Sequence, residues 1–381
     1  MIFLLIYILL PAVAVVTGVF LCRERFKNKG RAVYCIFIGT LLFIIAAVRY
    51  AVGYDYVLYA NWFASLRFMS GFEVMHWSRE KGFAVPVKLL SDMFVNPQIM
   101  FALIALVITV GVMLLIYKRS AVPWVSVTAF LTSGLFFISM NFMRQFIAAV
   151  IISFALRYVA KKRFFRYAGL VLFASTFHYS ALFLLPFYFI FKIKLNYITL
   201  LLMLAGSAVA YIFVTPLMNF ATNFFYTGYD PVSRVEAAGG LSIIYTIAFA
   251  SFFVVAFVLR KMIAKRNRHT NTLLMAMFFA VFFGLLGTSH AILSRLALLF
   301  IIAPVLILSA EIYSVLTDLI RLTFKDSKKV FIVFAAVMNL FFFGFSGAYY
   351  CYLISDSVNF NGVVPYQTIF SRHSTQAEEA G

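Results

Sequence analysis

Where an early apolar stretch ends, Arg49, Tyr50, Gly53, Asp55 and Tyr59 form the run RYxxGxDxxxY. An isolated arginine there could simply snorkel to the outer headgroups, a reading that the aspartate close behind it makes less bland. Arg144 and Gln145, in Asn141-Phe142-Met143-Arg144-Gln145, open a returning helix whose amides and positive end point out of the bundle. A planar fork of donors there can hold phosphate or anchor a helix end. His178 lies in an apolar run as either a hydrogen-bonded structural residue or a proton acceptor near neutral pH. Arg295, in Ser294-Arg295-Leu296, sits about one turn into another apolar run, where an unpaired charge is costly. Glu80, in Glu80-Lys81-Gly82-Phe83, is a loop carboxylate, solvated or functional. Several arginines with little competing acid point to a polyanionic substrate such as a pyrophosphate. No metal-ligand spacing connects these residues, so neither a metal nor a cofactor is expected.

The elements that must position them follow from composition. The chain is 64% hydrophobic and 12% charged, against roughly 25% charged in soluble domains. A soluble fold cannot bury such a surface. Apolar runs of spanning length recur throughout, so the expected fold is all-α, a polytopic membrane helical bundle with about twelve hydrophobic segments. Residues 1–355 are expected as one transmembrane domain and 356–381 as a polar C-terminal tail. Ile2–Leu21 lacks a basic flank and a cleavage site and reads as a retained helix.

Basic clusters set the orientation. They fall at Arg23–Arg31, Lys118–Arg119, Lys161–Arg166, Lys192–Lys194, Arg260–Arg268 and Arg321–Lys329. Placing all of them in the cytoplasm sends the amino terminus outside. On length alone the stretch Phe164–Phe191 could be one tilted span, but that would carry Lys192, Lys194 and Arg260–Arg268 outside, which favours a hairpin of two short helices broken near Thr176, Phe177 and His178, each arm about 20 Å long. A broken helix at that depth is tolerated only where its free backbone groups line a cavity or meet protein partners. Outer loops are expected over 50–96, rich in tryptophan and tyrosine, and over 215–240, ending in Ala237-Ala238-Gly239-Gly240. Loops of that size on one face suggest a lid or a binding rim. The net charge of +19 is the ordinary cytoplasmic excess, helped by anionic lipid headgroups, so nucleic-acid binding is not expected. Cys22, Cys35 and Cys351 have no pairing or ligand spacing.

The RYxxGxDxxxY exit, Glu80-Lys81-Gly82-Phe83, Asn141–Ala148 (NFMRQFIA), Phe177–Pro186 (FHYSALFLLP) and the Ser294-Arg295 pair together resemble the EpsG branch of Wzy-type polysaccharide polymerases. The motifs run from about Ala47 to Leu296; Tyr54 stands where many members carry a smaller polar residue. The resemblance implies a GT-C-like architecture in the bacterial inner membrane, with the active site facing outside. It implies transfer of a growing glycan from undecaprenyl pyrophosphate to the sugar hydroxyl of a lipid-linked repeat unit. Arg49, Arg144 and Arg295, with Gln145 and Tyr59, then fall to pyrophosphate binding, and His178, Asp55 and Glu80 to the acceptor proton. A chain-length regulator or another assembly protein is a possible partner. Two other classes stay open: an O-acyltransferase of exported glycans, which would turn its histidine and arginine toward an acyl-CoA donor, and a flippase, which would need alternating access and usually internal repeats.

Overall fold

The computed structural model describes residues 2–23, 27–225, 243–323 and 366–370. Cys351, most of the expected 215–240 loop and most of the expected polar tail lie outside them. The described residues are helical, with no strand beyond a single antiparallel bridge between Arg49 and Thr368. In chain order the helices are α1 (Ile2–Leu21), α2 (Lys27–Val48), α3 (Tyr56–Leu66), α4 (Gly71–Trp77), α5 (Lys81–Met93), α6 (Gln98–Arg119), α7 (Pro123–Thr132), α8 (Leu135–Asn141) and α9 (Met143–Ala155). They continue with α10 (Arg157–Ala160), α11 (Phe164–Ser175), α12 (Phe187–Ile190), α13 (Tyr197–Phe225), α14 (Ile243–Val258), α15 (Arg260–Arg266), α16 (Thr270–Leu286) and α17 (Ala291–Thr323). Among the described residues five helices are long and apolar enough to cross a membrane, or seven if the bent pairs α7–α8 and α14–α15 each count as one span. Three shorter apolar helices, Leu9–Leu21, Phe164–Ser175 and Thr270–Leu286, add to these. The chain is a multi-pass helical membrane protein.

It divides into two compact units. The first comprises residues 1–150, 176–179 and 305–381. Here α2 packs along α6, with Gly39 against Met113, and α1 packs along α7, where Gly18 admits Trp124, and against α2, whose buried Tyr34 hydroxyl donates to Ala14 O at 3.0 Å. The carbonyls left open at the end of α6 are met by Arg31, which donates to Tyr117 O at 3.0 Å and Ser120 O at 2.7 Å. The end of α2 is closed by another device. Ile369 N donates to Val48 O at 3.0 Å, Tyr366 donates its hydroxyl to Ile45 O, and the Gln98 amide donates to Ala47 O and, at 3.0 Å, to Arg49 O. Residues 366–370, within the expected tail, therefore cap α2 at the point where RYxxGxDxxxY begins. The expected outer loop 50–96 is itself mostly helical, as α3, α4 and α5. Ser70 and Glu73 close α4 with a reciprocal capping box.

The second unit comprises residues 151–175 and 180–304. Its core is phenylalanine: Phe187 lies 4.8 Å from Phe279 and 5.0 Å from Phe300, and Phe283 stacks on Phe300 at 5.5 Å. Such rings bury large apolar areas and favour the edge-on and offset contacts seen here. Asn271 ties down the turn before α13, accepting from Leu195 N at 2.8 Å and donating to Ile193 O at 2.9 Å. The apolar stretch of α13 is only 6% buried, as expected of a helix facing lipid.

The stretch Phe164–Phe191 is broken after Ser175. Its first arm is α11, but the second is a 3-10 helix, Tyr179–Leu184, followed by the single turn α12. Pro186 explains the difference from the two helices expected. It lacks an amide hydrogen and disfavours helical geometry at the residue before it. The Tyr167 hydroxyl ties the arms together by donating to Leu184 O at 2.7 Å.

Candidate functional site

Four of the residues singled out in the sequence meet in the first unit: Tyr59 from α3, Glu80 before α5, Arg144 from the first turn of α9, and His178 from the break after α11. Glu80 is the hub. Its Oε2 accepts from Arg144 Nη1 at 2.5 Å, and its Oε1 lies 2.7 Å from His178 Nδ1 and accepts from the Tyr179 amide at 3.1 Å. Arg144 Nε donates to the Tyr59 hydroxyl at 3.0 Å, and the guanidinium lies 5.7 Å from the Tyr59 ring and 5.9 Å from the Phe83 ring.

Local sequence explains the assembly. Glu80 is the N-cap of α5, so its side chain leaves the helix at its mouth and not along a packed face. Gly82 lies against Thr176, and its amide donates to Thr176 O at 2.9 Å. A Cβ at this glycine would meet the Thr176 hydroxyl, so glycine is required for the approach. The same hydrogen bond satisfies a carbonyl freed where α11 stops. The break therefore serves to present His178 to Glu80.

The electrostatics follow from partial burial. The Glu80 side chain is 13% exposed, that of His178 27% and that of Arg144 43%. Burial pushes the Glu80 carboxyl up, but the His178 hydrogen bond, the Arg144 guanidinium and the Tyr179 amide outweigh it and hold the group below its ordinary value. For Tyr59 burial wins over the neighbouring Arg144, raising the phenol above its ordinary value. A carboxylate on Nδ1 fixes the neutral ring as the Nδ1–H tautomer, leaving Nε2 as the acceptor nitrogen. A base oriented by a third group is the arrangement that proton-accepting sites use.

Beside this cluster opens a cavity of about 350 Å³, lined by Tyr59, Trp62, Leu66, Trp77, Ser78 and Arg144 among others. It shares Tyr59 and Arg144 with the cluster.

Arg49 is 2% exposed and points inward, donating to Met140 O at 2.6 Å, Val52 O at 3.3 Å and Met143 Sδ at 3.2 Å, with its guanidinium 5.1 Å from the Phe101 ring. Carbonyls and aromatic faces thus compensate a buried charge. Gly53 follows with φ +97°, a region that favours glycine, and a Cβ there would come 2.5 Å from Asn141 Oδ1. Asp55 is half-buried at the N-cap of α3, and its amide lies 3.5 Å from Asn141 Oδ1. Gln145 is buried. Arg295 belongs to the second unit, early in α17. Sequence reading missed Thr176 and the Tyr179 amide as site groups and did not single out Asn141. Only Gly82 hinted at a close approach, and a lone glycine does not name its neighbour. No group of three or more His, Cys, Asp or Glu among the described residues is arranged to hold a metal ion.

The family model that matches this chain is that of the EpsG family, over residues 32–368. No curated protein and no solved structure matches it.

Proposed function

The chain belongs to the EpsG family, a Wzy-like polysaccharide polymerase family, and from that premise we propose that it is a glycosyltransferase joining lipid-linked repeat units at the outer face of the bacterial inner membrane. The growing glycan leaves undecaprenyl pyrophosphate and passes to a sugar hydroxyl of the next lipid-linked unit. The observation that carries this reading is Glu80 bridging His178 and Arg144, a base and a cation held by one carboxylate.

In this mechanism His178 Nε2 takes the proton of the acceptor hydroxyl as its oxygen bonds to the anomeric carbon. The anomeric carbon–oxygen bond to the pyrophosphate breaks, and undecaprenyl pyrophosphate leaves with the electron pair. Glu80 holds Nδ1–H and stabilises the imidazolium, as an orienting carboxylate does. Arg144 keeps its charge throughout and meets charge developing on the leaving group, where fixed donors contribute most. Arg295 joins in pyrophosphate binding as the family resemblance implies. Arg49, with the Asp55 amide on Asn141, positions the exit turn against the start of α9. The twelve-segment, GT-C-like architecture belongs to the same reading. It would draw on the short and bent apolar helices and on the apolar sequence between residues 330 and 354.

The test is complementation of a strain lacking the protein with Arg144→Ala, His178→Ala and Arg295→Ala, membrane levels being matched. Accumulation of single lipid-linked units on the outer leaflet, with no polymer, is the expected result. Normal polymer lacking acyl groups would move the assignment to an acyltransferase, and units trapped on the inner leaflet would move it to a flippase.

A further inference from the structure

The cavity beside the cluster has a floor built in advance. Trp62 is stacked on Phe83 with ring centres 5.7 Å apart and planes 15° from parallel, and Tyr59 meets it edge-on at 6.5 Å. Phe83 is buried and belongs to the same Glu80-Lys81-Gly82-Phe83 run that supplies the carboxylate. Trp77, at the end of α4, lines the same cavity yet is 77% exposed, far more than a packing tryptophan needs. A rigid indole, a second exposed indole, Ser78 and the Arg144 guanidinium thus surround one space. Its volume of about 350 Å³ lies within the range of small-molecule sites, which pair apolar and aromatic walls with a few polar groups that fix orientation.

We infer that this cavity is a saccharide subsite, in which a sugar ring of the lipid-linked unit lies between Trp62 and Trp77 with its hydroxyls toward Arg144 and Ser78. A pyranose has an apolar C–H face and a polar rim, and this wall distribution matches both. An isoprenoid chain fits less well. The walls come from α3, α4 and α5, none of which is long enough to span a membrane, together with Arg144 at the start of α9. The inference rests on the polymerase reading for the identity of the sugar and deepens it, because the subsite shares Tyr59 and Arg144 with the proposed catalytic cluster.

The tryptophans allow a direct test. The chain has three, and the third, Trp124, is buried on α7 against Tyr313. Full-length Trp124→Phe protein in detergent micelles therefore reports only from Trp62 and Trp77. It would be titrated with the oligosaccharide repeat unit released by partial hydrolysis of the source cell's own polymer, and separately with undecaprenyl phosphate. The expected result is a saturable change in tryptophan emission with the oligosaccharide. Trp77→Ala, an exposed position that leaves packing intact, should weaken binding about tenfold, the scale of one aromatic stacking contact, and Trp62→Ala should weaken it at least as much. No saturable response, a response to undecaprenyl phosphate alone, or affinity unchanged in both alanine variants would overturn the subsite. If the subsite fails while Arg144→Ala and His178→Ala still abolish polymer, the polymerase reading stands without it. Saturable saccharide binding alongside normal polymer in those two variants would instead keep the subsite and remove the proposed chemistry.

Discussion

Glu80 joins two partners with different demands, and its substitutions separate them. Glu80→Gln keeps the shape but removes the charge that Arg144 and His178 both use. Polymer formation should fall by at least about a hundredfold, the usual contribution of an oriented proton acceptor, measured as polymer per lipid-linked unit in the complementation strain. The same substitution should cost about 1.5–3 kcal/mol of stability, the scale of hydrogen bonds to a charged group, read from unfolding in detergent. Since the folded carboxyl is held below its ordinary value, the unfolded chain takes up the proton first as pH falls. The stabilisation is complete above the unfolded value, about 4.3 for a glutamate, and is lost as pH drops through the folded one. A profile of unfolding temperature against pH should therefore decline below about pH 4 in the native chain and be flatter in Glu80→Gln. Arg144→Lys tests geometry at constant charge. A single ammonium cannot reproduce a fork that reaches Tyr59 through Nε and Glu80 through Nη1, so activity should drop nearly as far as in Arg144→Ala.

Helix ends and breaks, more than helix faces, build the site. α5 contributes its N-cap, α9 its first turn and α11 its interruption, and Gly82 against Thr176 locks two of these together. Gly82→Ala pushes a Cβ into the Thr176 hydroxyl and should cost about 1–3 kcal/mol, as overpacking does. Thr176→Ala removes that hydroxyl, so the double variant should recover part of the loss of unfolding temperature and of polymer. Equal losses in the single and double variants would put the strain on the Thr176 Cβ and backbone, which the same methyl would also meet, and not on the hydroxyl. The hairpin break is legible in the sequence, because an apolar run of that length between two basic clusters cannot cross once without misplacing a positive loop. The irregular second arm is less so, since Pro186 signals an end to regular helix without specifying what replaces it.

At the scale of the whole molecule, residues 366–370 return to close the end of α2 beside the RYxxGxDxxxY run. A chain ending at Phe370 keeps these contacts and is the reference. One ending before Tyr366 leaves Ile45 O and Val48 O without their partners, and should lose about 1–3 kcal/mol for each buried carbonyl so exposed, together with polymer formation. Thermal unfolding and complementation of the two truncations would check this. By itself the sequence determined the membrane class, because an apolar composition of this size has no other solvent. It also marked His178, Arg144, Glu80 and Tyr59, because polar side chains are rare in such a chain and expensive unless used. Only the tertiary structure decided which of the marked residues meet. Glu80 and His178 lie far apart in the chain, and periodicity carries no information about contacts made at helix ends. Arg49 and Arg144 look alike in sequence, but one is buried among carbonyls and the other faces a cavity. That difference comes from where the exit turn and the start of α9 lie against their neighbours.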